Sequence, residues 1–302
     1  MANVAADNVQ PVRLAAASAA CIFGAVLALA VPFFGVPVAA GALAWLWYRG
    51  RRTSVFVLAI ASGALTFVID PIGPLYVTPW LLIAGPIVAM LVQRRSLAMA
   101  LLVSTVLMTV VWAGLIVGVS TLEGTSVNGY MRSLVNTATK PAIDSVTGNT
   151  AEAEQTREQI ALVESAFVRL WPAIIVIMSF FTTLGVVLAV SISARTAGVS
   201  VNSPPELERL DLSPHVVWGL IVGVGLLAAD KFLGGWNGGV LGMAGENFLR
   251  VSQWVLFLQG VSVFASLYKR AGFSRLSRAL GFVLLGITEA FLPLVSLTGL
   301  VD

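Results

Sequence analysis

The residues able to do chemistry are few, and the most informative is Glu289, inside the apolar stretch 279–297 and one turn before Pro293. An ionisable group at the centre of a membrane helix costs roughly 2.5–3.5 kcal/mol on insertion scales. A carboxyl there must be protonated, hydrogen-bonded or open to a polar cavity. Two roles fit: binding or proton coupling at a polar site, or hydrogen-bonded packing against another helix. Gln259 lies at similar depth in the preceding stretch, 247–268, and a hairpin would carry it towards Glu289. Gln253 is nearly two helical turns earlier and projects from about the same side. Glu246 and Arg250 stand four apart at the end of that stretch, the spacing of an intrahelical pair. With Asp230, Lys231, Asn237 and Asn247 they form either a polar mouth for a small solute or a set of structural pairs.

Other chemistry is poorly supplied. Cys21 is the only cysteine and His215 the only histidine, so a metal cluster, a catalytic triad and a Cys-His pair all lack partners. His215 follows Pro214 at the start of an apolar run, as an interfacial helix-start residue does. The turn from Gly234 to Gly239 resembles a phosphate loop only in glycine content, without the Lys-Ser/Thr that should follow. Asp70, before Pro71, reads as a turn or cap. The expectation is a chain that is not an enzyme, with no catalytic residues, no metal site and no cofactor.

The elements that must hold these residues follow from composition. Hydrophobic residues make up 58% of the chain and charged ones 11%, with a mean hydropathy of +0.91. Soluble domains carry roughly 25% charged residues, so this chain could not cover a water-facing surface and needs lipid as its solvent. The net charge of +3 comes from small clusters between apolar runs, not from a basic face, which argues against nucleic acid.

The fold class predicted is all-α, a polytopic transmembrane helical bundle of about nine spans. The first dozen residues are polar and read as disordered. Arg13 precedes the first run, residues 14–31, which reads as an uncleaved signal and first span. Pro32 and Pro37 break it from a second, short run ending at Tyr48. Further spans read as 53–70, 79–93, 97–119, Phe167 to before Arg195, 215–231, 247–268 and 279–297. Three parts result: an N-terminal membrane segment of about five spans (1–120), an extracytoplasmic loop (121–162), and a C-terminal segment of about four spans (163–302). The loop carries turn signals at Asn128-Gly129, Lys140-Pro141 and Gly148-Asn149. Its second half, capped by Asn149 or Thr150, has the charge spacing of a helix entering the next span.

On this topology 12 of the 18 basic residues share one side: Arg13, Arg49, Arg51, Arg52, Arg94, Arg95, Arg195, Arg209, Lys269, Arg270, Arg275 and Arg278. Excess Lys and Arg mark the cytoplasm, which puts the N-terminus inside and 121–162 outside a bacterial inner membrane. In the first span Ala15, Ala16, Ala19 and Ala20 give overlapping small-xxx-small pairs, a pattern that lets a partner helix approach closely.

The polar lead-in ending in Pro214, the Trp218 span, Asn247 with Gln259-Gly260, and the ending Leu297-Thr298-Gly299-Leu300-Val301-Asp302 follow one another over 205–302. In that order they resemble the YybS-like family of bacterial polytopic membrane proteins. The resemblance implies a helical membrane bundle and carries no activity or catalytic residue with it. More distantly, the layout is similar to the substrate-binding membrane subunits of energy-coupling-factor transporters, which dock a partner through small residues on an early helix. Two function classes remain open. One is a protein that binds or transports a small solute through Glu289, Gln259, Gln253, Glu246 and Arg250. The other is a scaffold or assembly factor using 121–162 to bind a membrane-protein partner.

Overall fold

Long apolar runs broken by proline, glycine and arginine become helices separated by short turns. The structure, a computed structural model, describes residues 2–71, 73–74, 77, 80–81, 85–145, 151–201, 215–233 and 239–301. The expectations at Gly148, Asn149, Thr150, Arg209, Pro214, Gly234, Asn237 and Asp302 lie outside them. Among the described residues there is no strand, and eleven helices follow in order. They are α1 (Ala2–Ala30), α2 (Pro32–Tyr48), α3 (Arg52–Ile69), α4 (Gly85–Arg94), α5 (Leu97–Leu122) and α6 (Val127–Ser145). Then come α7 (Ala151–Thr196), α8 (Val216–Phe232), α9 (Val240–Arg270), α10 (Arg275–Phe291) and α11 (Leu294–Val301). The all-α helical membrane class stands.

Two features differ from expectation. Helix α1 begins at Ala2, so the polar first dozen residues, expected to be disordered, are helical from Ala2 on. The segment 121–162 is not simply a loop, because α6 occupies Val127–Ser145. Ser126 caps it, accepting the N–H of Gly129 at 3.1 Å, and Tyr130, Met131 and Val135 are buried along one stripe. Asn128-Gly129 and Pro141 look like turn signals, but tertiary burial of that stripe outweighs them. The expected run of helix from the polar stretch into the next span is present as the 46-residue α7.

Five helices among the described residues are long and apolar enough to cross a membrane, within Pro11–Ala30, Arg52–Ile69, Leu97–Leu122, Glu154–Thr196 and Val240–Arg270. A sixth span results if Arg275–Glu289 and Leu294–Val301 are taken together, though they bend by 101° at the break before Leu294. Helices α2 and α8 have 17 residues each. At 1.5 Å per residue that is about 26 Å, short of a hydrocarbon core near 30 Å. These two, together with α4 and its 10 described residues, are the helices that fall short among the nine spans expected.

The chain divides into two compact units. Unit 1 comprises Met1–Val119 with Met178–Pro204, and unit 2 comprises Ser120–Ile177 with Pro205–Asp302. Helix α7 supplies residues to both.

In unit 1, α1 and α2 form a close hairpin joined through Val31 alone, with Pro32 in the first turn of α2, where a missing amide costs little. A Cβ on Gly24 would lie 2.6 Å from the nitrogen of Ala39, so the crossing needs glycine. Tyr48 donates to the carbonyl of Ala89 on α4 at 2.6 Å, and Ser193 of α7 donates to that of Gly41 at 2.8 Å. Polarity is inverted relative to a soluble helix: on α3, Ser62 and Thr66 are buried while Phe56, Ile60 and Phe67 are exposed. That is the pattern expected when lipid is the solvent.

In unit 2, α8 crosses α9 where a Cβ on Gly245 would lie 2.8 Å from the carbonyl oxygen of Gly223. Helix α11 crosses α9 closer still. A Cβ on Gly260 would overlap the carbonyl oxygen of Val295, and one on Gly299 that of Leu256. Ser274 caps α10 by accepting the N–H of Ser277 at 3.2 Å.

Candidate functional site

Helix α9, with Gly239 as its N-cap, carries Glu246, Arg250 and Gln253 at positions i, i+4 and i+7, so the three stack on one face. They line an open cavity of about 670 Å³ together with Arg169 and Ser165 of α7. Glu246 takes its cation from across this cavity: Arg169 Nη2 lies 2.5 Å from Glu246 Oε1. Arg250, four residues on, instead donates to the side-chain oxygen of Gln253 at 3.2 Å. The cavity wall thus offers two guanidinium groups against one carboxylate.

Gln253 faces two ways. Its Nε2 donates to Glu289 Oε1 at 3.2 Å, joining the cavity wall to α10. Glu289 then reaches over the break at Leu292 and Pro293 to the start of α11. Its Oε2 accepts the N–H groups of Val295 at 3.1 Å and Ser296 at 3.2 Å, and the Ser296 hydroxyl bonds its Oε1. These are first-turn amides that α11 itself cannot satisfy, and the partial positive end of a helix favours a carboxylate. Ser296 Oγ also lies 3.1 Å from the backbone oxygen of Gln253. Glu289 therefore caps a broken helix and orients Gln253; it does not stand open in a void.

Gln259 sits elsewhere, about 9 Å farther along α9 at 1.5 Å per residue. It is buried at the crossing with α11, where a Cβ on Gly299 would come within 3.1 Å of its own Cβ. The side chain that meets Glu289 in this site is Gln253. Asp230 packs against the start of α9, its Oδ2 2.6 Å from where a Cβ on Gly242 would be. Ala15, Ala16 and Ala19 are exposed and Ala20 half-buried, on unit 1. The tight helix crossing of that unit is made one to two turns later, from Gly24 to Ala28.

The reading from sequence did not single out Asn247 as a clamp or Arg169 as a wall residue. Asn247 Oδ1 accepts the N–H of Ala173 at 2.8 Å, and its Nδ2 donates to the carbonyl of Arg169 at 2.8 Å and of Met243 at 2.7 Å. Ala173 and Arg169 are the donor and acceptor of one helical rung, beside Pro172, which interrupts hydrogen bonding inside α7. The clamp fixes the backbone that carries Arg169. A proline within a long apolar helix was the available signal that such a partner is needed.

No curated protein matches the chain, and neither does any solved structure. A helical chain whose buried faces carry serine, threonine, asparagine and glutamine, and whose outer faces are apolar, is a membrane protein. In agreement with that, the family described as predicted membrane protein (DUF2232) matches residues 18–302, and the chain belongs to it.

Proposed function

We propose that the protein binds a small solute bearing an acidic group in the cavity formed by Arg169, Glu246, Arg250 and Gln253. The observation that carries this reading is the bonding of Gln253 to both Arg250 and Glu289, which connects the cavity to the break between α10 and α11. Discontinuous membrane helices with polar groups at the break are a recurrent basis of solute sites in transporters. Two arginines can engage a carboxylate or phosphate, while Glu246 favours a solute that also carries a donor or an amine. The distant similarity of layout to energy-coupling-factor substrate-binding subunits is in keeping with the same class. The role is binding or transport, not catalysis. The membrane is the bacterial inner membrane, with the N-terminus cytoplasmic and the 121–162 segment outside, so the solute arrives from outside. Without a nucleotide-binding motif in the chain, energy for transport would come from an ion gradient or a partner ATPase.

A thermal-shift screen of the detergent-purified protein against amino acids, carboxylic acids, vitamins and nucleobases tests this. A ligand that binds only the folded state adds about 2.7 kcal/mol at a hundredfold excess over its Kd. A hit lost in Gln253→Leu and Arg250→Ala supports the site. A hit indifferent to both places binding elsewhere and overturns it.

One observation favours a scaffold as the second reading. Leu122 at the end of α5 and Leu134 on α6 are exposed apolar side chains within the polar 121–162 stretch. Deleting Val127–Ser145 distinguishes the two: losing a co-purifying protein while keeping the solute shift favours the scaffold on that surface.

A further inference from the structure

Unit 1 holds a second cavity that the solute reading does not use. It is an open groove of about 730 Å³ between α1, α2 and the last turns of α7. Its polarity is graded. Ala20 and Pro37 line one part, and Arg13, Trp45 and Thr196 line another. Because α1 and α2 are antiparallel about the contact of Gly24 with Ala39, Arg13 and Trp45 come to the same end.

That end is unusually basic. Arg49, Arg51 and Arg52 follow α2, and Arg94 ends α4 with Arg95 next to it, five and six residues beyond the Ala89 that Tyr48 holds. Arg195 precedes groove-lining Thr196. Arg13 is exposed and has no ion-pair partner among the described residues. The guanidinium of Arg49 lies 5.5 Å over the ring of Trp45, and that of Arg52 lies 5.2 Å over Trp47. Arginine stacked on tryptophan is the composition of a membrane interface. Asp70, the acidic residue of unit 1 whose side chain is described, follows the opposite end of α3 from Arg52. A partner helix laid in the groove would bury Arg13 at a cost nothing on the groove offsets. An amphiphile would not, since its anionic head meets Arg13 while its chain follows the apolar wall.

We propose that this groove seats one anionic phospholipid, its phosphate on Arg13 beside Trp45 and an acyl chain along Ala16, Ala20 and Gly41. Excess arginine marks this end as cytoplasmic, the leaflet in which anionic headgroups and basic helix ends attract one another.

The test uses the full chain in nanodiscs of equal phosphatidylglycerol and phosphatidylcholine, with retained lipid counted by native mass spectrometry after release. One phosphatidylglycerol should be retained at least tenfold over phosphatidylcholine. Arg13→Gln should lower that retention about five-fold, the effect of one arginine near an anionic surface. Arg94→Gln, at the same end but off the groove, should leave it unchanged. Val38→Trp and Ile192→Trp fill the groove from exposed positions that tolerate bulk, and both should abolish retention with unchanged melting. Equal retention of the two lipids overturns the proposal. So does an equal loss from Arg13→Gln and Arg94→Gln, which would mean a diffuse field and no seat. Wild-type retention in both tryptophan variants, or a membrane protein retained in place of lipid, also overturns it.

Discussion

The side-chain oxygen of Asn247 accepts the backbone N–H of Ala173 at 2.8 Å, within the turn of α7 that carries Pro172. Its nitrogen donates to Arg169 and Met243, so one carboxamide serves three backbone groups. Asn247→Leu leaves them without that partner in a buried place. Each such group costs roughly 1–3 kcal/mol, and interhelical hydrogen bonds measured in membranes fall near the lower figure. The expected loss is about 2 kcal/mol, read as a lower midpoint of unfolding in a denaturing-detergent titration. Asn247→Ala, which leaves room for water, should lose less. An unchanged midpoint for both would mean that the clamp adds nothing to α7.

The α9–α11 crossing depends on the absence of side chains at Gly260 and Gly299. Gly260→Ala should reduce the yield of folded protein sharply, because the new methyl meets backbone, which cannot rotate aside. Gly118 on α5 has nothing within 4 Å of the same atom. Gly118→Ala should be neutral or stabilising by up to about 1 kcal/mol from helix propensity alone. Thermal melts of the pair in one detergent separate packing from propensity.

Glu289 makes its contacts through both carboxylate oxygens. Glu289→Ala uncovers the amides of Val295 and Ser296 and should cost about 2 kcal/mol of stability. Glu289→Gln keeps one acceptor and should fall between wild type and alanine. If glutamine is worse than alanine, capping is not what the carboxylate does.

Arg169 separates stability from binding. Its partner is Glu246, and their side chains are 48% and 31% exposed, a setting in which an ion pair contributes about 0–1 kcal/mol. Arg169→Gln should melt close to wild type while weakening affinity for an acidic solute about tenfold, or roughly 1.4 kcal/mol. Isothermal titration with a ligand found by the thermal screen measures the second effect.

Much of this was legible in the residues themselves. Fifty-eight per cent hydrophobic residues with so little charge dictate helices in lipid, because only internally bonded backbone survives there. Pro32 announced a break, although 279–297 read as one span across Pro293, and Gln253, Gln259 and Glu289 stood out as polar at membrane depth, with Glu246 and Arg250 at the mouth. Periodicity on α9 alone put three of those side chains on one face. What lay beyond it were relationships between helices. The sequence spacing paired Glu246 with Arg250, yet Arg169 takes that place from 77 residues away. Gln259 looked like the match for Glu289, but helical phase and the bend at Leu292 and Pro293 bring Gln253 there. Likewise α6 carries turn signals that only burial of Tyr130, Met131 and Val135 overrides. Local chemistry sets which segments are helical, since each backbone hydrogen bond closes within four residues. Which polar side chains meet depends on crossing points set by Gly223, Gly245, Gly260 and Gly299, and those become definite only when two helices touch.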